Sequence, residues 1–350
     1  MSPVRTPVRP GLPSPLADLL GSRWTMGVPV TAAAWFDGRD TVGFGLADGT
    51  LAITRAQWDG AATVQPREGG GVELVPARGE PPPAIRARVH AGPCLCVAAG
   101  EGVVLSGGRD GHIARTRPDG TFEVLSGSSE GGVACIATGK GGAWAYAAGS
   151  QVHRIAPAPA VLDLPGQVSA LAFDGNGQDL AIAHSGAVWL WPAGVDPAQW
   201  PAGGGVMLDG YPEPVLALSF SAPGGFLAIS GGPRILCWHP GGPDGAGRQT
   251  ECGVAGPAVV SQVACHPTRV VIAAGYSNGV VLLCQLGSTD VLLVRGAGGG
   301  AVTALAWSPD GAALALGTAL GAAGVVALPS LLFRSAGGAP PDAADPEVLA

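Results

Sequence analysis

Three thiols are the residues whose type and spacing come closest to doing chemistry. Cys94 and Cys96 lie in Cys94-Leu-Cys-Val-Ala-Ala99 and Cys135 in Val133-Ala-Cys-Ile-Ala-Thr138. Soft thiolates select zinc or copper(I), so convergence of these three would make a metal site. The spacing is CxC, not CxxC, and no His lies in either stretch. They therefore read first as small buried hydrophobes in place of Val or Ala, with small-ligand or metal binding, in metal handling, as the alternative. The six histidines (His90, His112, His153, His184, His239, His266) show neither HxxxH nor HExxH spacing, the patterns that gather ligands on one helix face. The glycine run Gly296-Ala-Gly-Gly-Gly300 lacks the Gly-Lys-Ser/Thr ending of a phosphate-binding loop and reads as a turn. No cofactor is expected.

The elements that must position these residues are short strands. Of 350 residues 58 are Gly and 32 Pro, yet 47% are hydrophobic and only 13% charged. A disordered chain would lack that apolar content, and glycine at such density belongs to turns rather than helices. The net charge of −7 works against attraction to phosphate backbones, so nucleic acid is not an expected partner. No uninterrupted apolar run of about 18 residues occurs, and the N-terminus lacks the apolar core of a secretory signal. Seven cysteines, an odd number, fit reduced thiols. A cytoplasmic location without membrane contact is expected. Lys140 is the single lysine, a bias that reads as GC-rich bacterial coding.

The segment Val302-Thr-Ala-Leu-Ala-Trp307 recurs at residues 30, 94, 133, 168, 215 and 260, with a mean period of about 45 residues. Its first column (Val30, Cys94, Val133, Val168, Val215, Val260, Val302) and fourth (Ala33, Val97, Ile136, Leu171, Leu218, Val263, Leu305) are apolar. Spaced three apart, they are expected on opposite faces of a strand, both buried; on the same alternation Cys94 and Cys96 share a face. The fifth column holds only Ala and Ser, as crowding near a common axis requires. Each copy is followed by a turn, a second and a third apolar strand, then a variable fourth. The axial strands carry Gln262 as their one amide and no carboxylate, so no catalysis is expected.

These residues resemble the WD-repeat family of β-propellers, over about residues 22–329. The best copy runs from Gln167-Val-Ser-Ala-Leu-Ala-Phe173 to Gly186-Ala-Val-Trp-Leu-Trp191, and His90-Ala-Gly-Pro-Cys94 resembles the family's Gly-His lead. The sequence departs from the pattern at Pro192 and His239, where Asp should follow the terminal Trp, and only Asp48 and Asp110 hold the turn position of the structural Asp. The blades are therefore expected to lean on apolar packing more than on the family's His/Asp/Ser/Trp hydrogen bonds. The resemblance implies an all-β, seven-bladed WD-repeat-like propeller, acting as a noncatalytic scaffold for protein partners, as a monomer or within a larger complex. It also implies closure: Arg23-Trp-Thr-Met26 is expected to pair with Val325-Val-Ala-Leu328 as the outer strand of the last blade.

The propeller is expected to span residues 22–335, flanked by a mobile Pro-rich tail at 1–20 and an acidic tail at 336–350. A loop insertion is expected at 59–83, with a small hairpin at Val72-Glu-Leu-Val75. Trp58 and Trp200 lie in connections, as covers or contact sites. Partner binding is assigned to turn residues expected to be exposed on one face: Asp48, Arg109, Asp110, His184, Arg234, Tyr276 and Asn278.

Overall fold

Seven glycine-punctuated repeats fold into seven four-stranded antiparallel sheets. The computed structural model describes residues 15–333 apart from 39, 68–70, 127–130, 157–158, 193–205, 209–213, 241–246 and 289. The expected tail at 336–350, most of that at 1–20, and Trp200 lie outside the described residues. Blade 1 is built from Val30–Trp35, Thr41–Leu46, Thr50–Arg55 and Ile85–Arg88. The inner strands of blades 2 to 7 are Cys94–Ala99, Val133–Thr138, Val168–Phe173, Leu218–Ser221, Val260–Cys265 and Val302–Trp307. Each inner strand packs on the next and the seventh packs on the first, so the sheets close into a ring. The molecule is a seven-bladed β-propeller. Among the described residues no helix is long and apolar enough to cross a membrane.

Because every blade presents two apolar faces to its neighbours, the core is divided among the seams between blades. At the seam of blades 7 and 1, Val30, Trp35 and Phe44 bury against Ala304, Ala315 and Val325. At that of blades 4 and 5, Ala172, Ala183 and Leu190 bury against Leu218, Leu227 and Trp238. Side chains of one inner strand are also tied to backbone carbonyls of the next. Thr303 Oγ1 donates to Val30 O at 2.6 Å, Ser261 Oγ to Val302 O at 2.7 Å, and Cys135 Sγ to Ser169 O at 3.3 Å. In the reverse direction Trp35 Nε1 donates to Ala306 O at 2.9 Å and Trp307 Nε1 to Ala264 O at 3.0 Å.

Closure follows the sequence expectation, in a shifted register. Gly21–Thr25 pairs antiparallel with Ala322–Ala327, Arg23 opposite Gly324 and Trp24 opposite Ala323. The expectation that residues 1–20 form a mobile tail is corrected at its end. Leu16–Leu20 is a short helix, and Ala17 and Leu20 are buried with Val294, Leu316 and Val326. The insertion contains the hairpin, Thr63–Pro66 with Val72–Val75, and its Ala62 joins the same core. Trp58 is a cover: it is half-buried, and its Nε1 donates to Ser22 Oγ at 3.0 Å.

A second correction concerns facing. In six inner strands a β-bulge falls between the first and third columns. Val30 lies opposite Leu46 and Ala32 opposite the adjacent Gly45, so the first and third columns point to opposite faces. The first and fourth columns therefore share a face, contrary to simple alternation. The residues across the bulge are small: Gly45, Gly107, Ala147, Ala183, Gly275 and Gly317. The side chain of the next blade's first column rests on them, Val133 on Gly107, Val302 on Gly275 and Val30 on Gly317.

Candidate partner-binding face

The turn between second and third strands and the lead into the inner strand meet at one end of blades 1, 2, 6 and 7. The link is one repeated hydrogen bond: Ala47 N–H donates to Pro29 O, Arg109 to Pro93 O, Ser277 to Val259 O and Ala319 to Ala301 O, at 2.8–3.0 Å. Gly49, Gly111, Gly279 and Gly321 each hold a φ of 78–91° in these turns, a conformation open to glycine at no steric cost.

Three of the expected site residues shape the turns. Asp48 Oδ1 accepts from Thr50 N–H at 3.0 Å, Asp110 Oδ1 from His112 N–H at 3.1 Å, and Asn278 Oδ1 from Val280 N–H at 3.2 Å, closing the local rings that favour Asp and Asn there. Arg109, Arg234 and Asn278 are exposed and Asp48 is half-buried. Arg234 faces Glu251 at 3.7 Å, a solvated pair worth little stability.

Tyr276 and His184 are not exposed turn residues. Each is the last residue of a second strand, paired with Val260 and Val168 respectively, and each is buried. The Tyr276 hydroxyl donates to Val254 O at 3.4 Å, and burial pushes it up to about 12. Asp110 is engaged as well. Its Oδ1 lies 3.2 Å from His90 Nδ1 and its Oδ2 accepts from Ala91 N–H at 2.8 Å, while His90 Nε2 meets Ser106 Oγ at 2.9 Å. Blade 2 thus holds a His/Asp/Ser hydrogen-bond network around Asp110, with buried Thr116 ending the third strand. Burial works to raise the Asp110 carboxyl, but the Ala91 and His112 amides and His90 hold it below its ordinary value.

The three candidate metal ligands do not gather. The bulge sets Cys94 opposite Gly108 and Cys96 opposite Gly107, hence on opposite faces. Cys94 Sγ packs toward Gly45 of blade 1, whereas Cys96 Sγ donates to Val133 O of blade 3 at 3.5 Å. Burial pushes the Cys94 and Cys135 thiols up to about 12 and Cys96 well above its usual value, so all three are protonated donors to carbonyls. Among the described residues no group of three or more His, Cys, Asp or Glu is placed to hold a metal ion.

Exposed apolar side chains were not identified from sequence. Leu320, in the blade 7 turn, is 73% exposed, and Leu216 and Val254 stand exposed in the leads into blades 5 and 6. Isolated exposed apolar residues are ordinary; these three stand in the same kind of turn and lead as Arg109, Arg234 and Asn278, and of the six the arginines are the type that most often anchors interfaces. A second exposed set lies on the rim, where outer strands carry Ile85, Phe122, Val124 and Val161.

The buried histidines give this scaffold a pH dependence. Burial lowers the pKa of His90, His184 and His266, and neither ring nitrogen of His184 has a hydrogen-bond partner. A folded value below the unfolded one, near 6.5, means that the stability is complete above that pH and lost as pH falls below it, at up to about 1.4 kcal/mol per pH unit for each residue. Thermal melts from pH 7.5 to 5 are expected to show a falling Tm. His184→Phe, which keeps the edge contact with Trp189 at 4.7 Å between centroids, is expected to flatten that slope. An unchanged slope would remove His184 from the account.

No family model matches the sequence, and no curated protein matches it. Similarity appears at the level of solved structures. A chain in the crystal structure of the mitotic checkpoint complex superimposes with a TM-score of 0.64 at 15% identity, covering 94% of this chain and 96% of its own. A likeness at that identity is one of fold: this chain is similar to that one as a seven-bladed β-propeller.

Proposed function

We propose that this protein is a noncatalytic platform of WD-repeat type on which protein partners assemble, working in the cytoplasm as a monomer or within a larger complex. The reading rests on the turn face, where Arg109, Arg234, Asn278, Leu216, Val254 and Leu320 project from a frame whose strands are committed to the seams. Arginine supplies planar hydrogen bonding and leucine an apolar contact, on backbone held by the repeated turn bonds. The charge of −7 disfavours nucleic acid as the partner. The structural neighbour belongs to a complex of proteins, which supports a partner of the same kind.

The test is capture of partners on the full chain, followed by affinity measurement with the protein identified. Since Tyr276 is buried, the informative pair is Arg109→Ala with Leu320→Ser. This double change is expected to weaken binding about tenfold or more while moving Tm by less than about 2 °C, as exposed sites do. Phe122→Ser with Val124→Ser is expected to leave affinity unchanged. Loss of binding only in the rim variant would move the surface to the circumference, and failure to capture any protein would overturn the platform reading.

A further inference from the structure

We propose that Cys252 and Cys284 form a covalent staple between blades 5 and 6 when the protein meets a small-molecule disulfide oxidant. Cys252 ends the outer strand of blade 5, opposite Ile235, and Cys284 lies in the third strand of blade 6, opposite Ile272 and Val291. The two thiols share one core with Ile235, Cys237 and Tyr276, and both are buried. Each lies close enough to the other to bear on its ionisation. The placement is independently tight: a Cβ on Gly253, next to Cys252, would stand 3.4 Å from Cys284 Sγ. All seven cysteines are free thiols.

This proximity distinguishes the two sulfurs chemically. Their mutual influence holds Cys252 below its usual value and, with burial, pushes Cys284 up. Cys252 is thus the attacking thiolate and Cys284 the resolving thiol. Access comes from the edge position of Arg248–Cys252, a strand paired only with Ile235–His239 and exposed at Arg248, Gln249 and Glu251. Edge strands open locally at low cost. With oxidised glutathione as the oxidant, the Cys252 thiolate attacks one sulfur of its disulfide and expels a glutathione thiolate, leaving a mixed disulfide. Cys284 then yields its proton to solvent, attacks Cys252 Sγ and expels the second glutathione thiolate. Two protein thiols are oxidised by two electrons as one small disulfide is reduced to two thiols.

The experiment equilibrates the full native chain in glutathione buffers of increasing oxidised fraction, alkylates free thiols and maps peptides without reduction. The expected result is a linked Cys252–Cys284 peptide, with both thiols lost together, and a Tm raised on the order of 5 °C that returns on reduction. Cys284→Ser is expected to trap glutathione on Cys252, and Cys237→Ala to leave the link intact. A glutathione adduct that accumulates on Cys252 while Cys284 is present would overturn the proposal. So would a Cys237–Cys252 link, a Cys252–Cys284 link formed only in denaturant, or a Cys252 inert in the native chain.

Discussion

Deletion of residues 1–28 is expected to abolish the cooperative thermal transition of the full chain or to lower its Tm by more than about 10 °C. The deleted segment supplies the outer strand of blade 7, five residues in register with Ala322–Ala327. It also carries Leu20, 2% exposed, and Met26, 4% exposed. Burial of two such side chains stabilises by about 1.5–3 kcal/mol each, and each ladder hydrogen bond contributes about 0.5–1.5 kcal/mol net. The total is a large part of the 5–15 kcal/mol or so by which domains are stable. Connections across the seam go with it, since Trp24 Nε1 donates to Pro82 O at 2.8 Å and Ser22 Oγ accepts from Trp58. A bare Ala322–Ala327 edge would invite association as well as unfolding.

Deletion of 1–19 separates the strand from the helix that precedes it. It removes Ala17, which is buried, and the partly buried Leu16 and Leu19, but keeps Gly21–Thr25. An intermediate loss of a few degrees is expected, where sequence alone suggested none. Circular dichroism melts of the full chain and both truncations at one pH decide the matter. Equal melting of the full chain and the 1–28 deletion would mean that the terminal strand is not what closes the ring.

The ring itself was legible because its columns repeat. Val at the first position and Ala or Ser at the fifth are demands of seams and axis that each blade must meet separately, so the period shows through divergent strands. The bulge left no such mark. Two residues facing one partner residue alter no spacing in the sequence, and Cys94 and Cys96 read as sharing a face although they point to opposite seams. The burial of Tyr276 and His184 was hidden for a related reason. Both second strands end on a residue that the sequence reading placed in the turn, and that residue pairs with the inner strand. His90 and Asp110, 20 residues apart, were recognised singly; Ser106 completes their network through tertiary position alone. Outer strands such as Ile85–Arg88 are paired on one side, so their residues are weakly constrained and their exposed side chains carry no periodic signal.

The glycines across the bulges make the second large prediction. At Gly275 a Cβ would collide with Val302 Cγ1 and lie 2.7 Å from Val302 Cβ. The second contact is with the root of a β-branched side chain, which cannot swing aside by changing rotamer. Val302 is fully buried and belongs to the inner strand of the next blade, so relief requires moving one blade against the other. Gly275→Val is therefore expected to cost about 3 kcal/mol or more, beyond the usual range for overpacking because backbone must shift, and to lower Tm by about 5 °C or more. Gly275→Ala is expected to cost about 1–3 kcal/mol. Blades 3 and 4 carry Ala147 and Ala183 at the equivalent position, so the ring accommodates a methyl where the seam is built around it. The double change Gly275→Ala with Val302→Ala tests this explanation by emptying the space that the new methyl needs. Val302→Ala alone opens a cavity and is itself destabilising, but in combination the two costs are expected to sum to less than their separate values by 1 kcal/mol or more, roughly the coupling of residues in direct contact. Simple additivity in denaturant melts would show that Gly275 is required for its backbone rather than for the room it gives Val302.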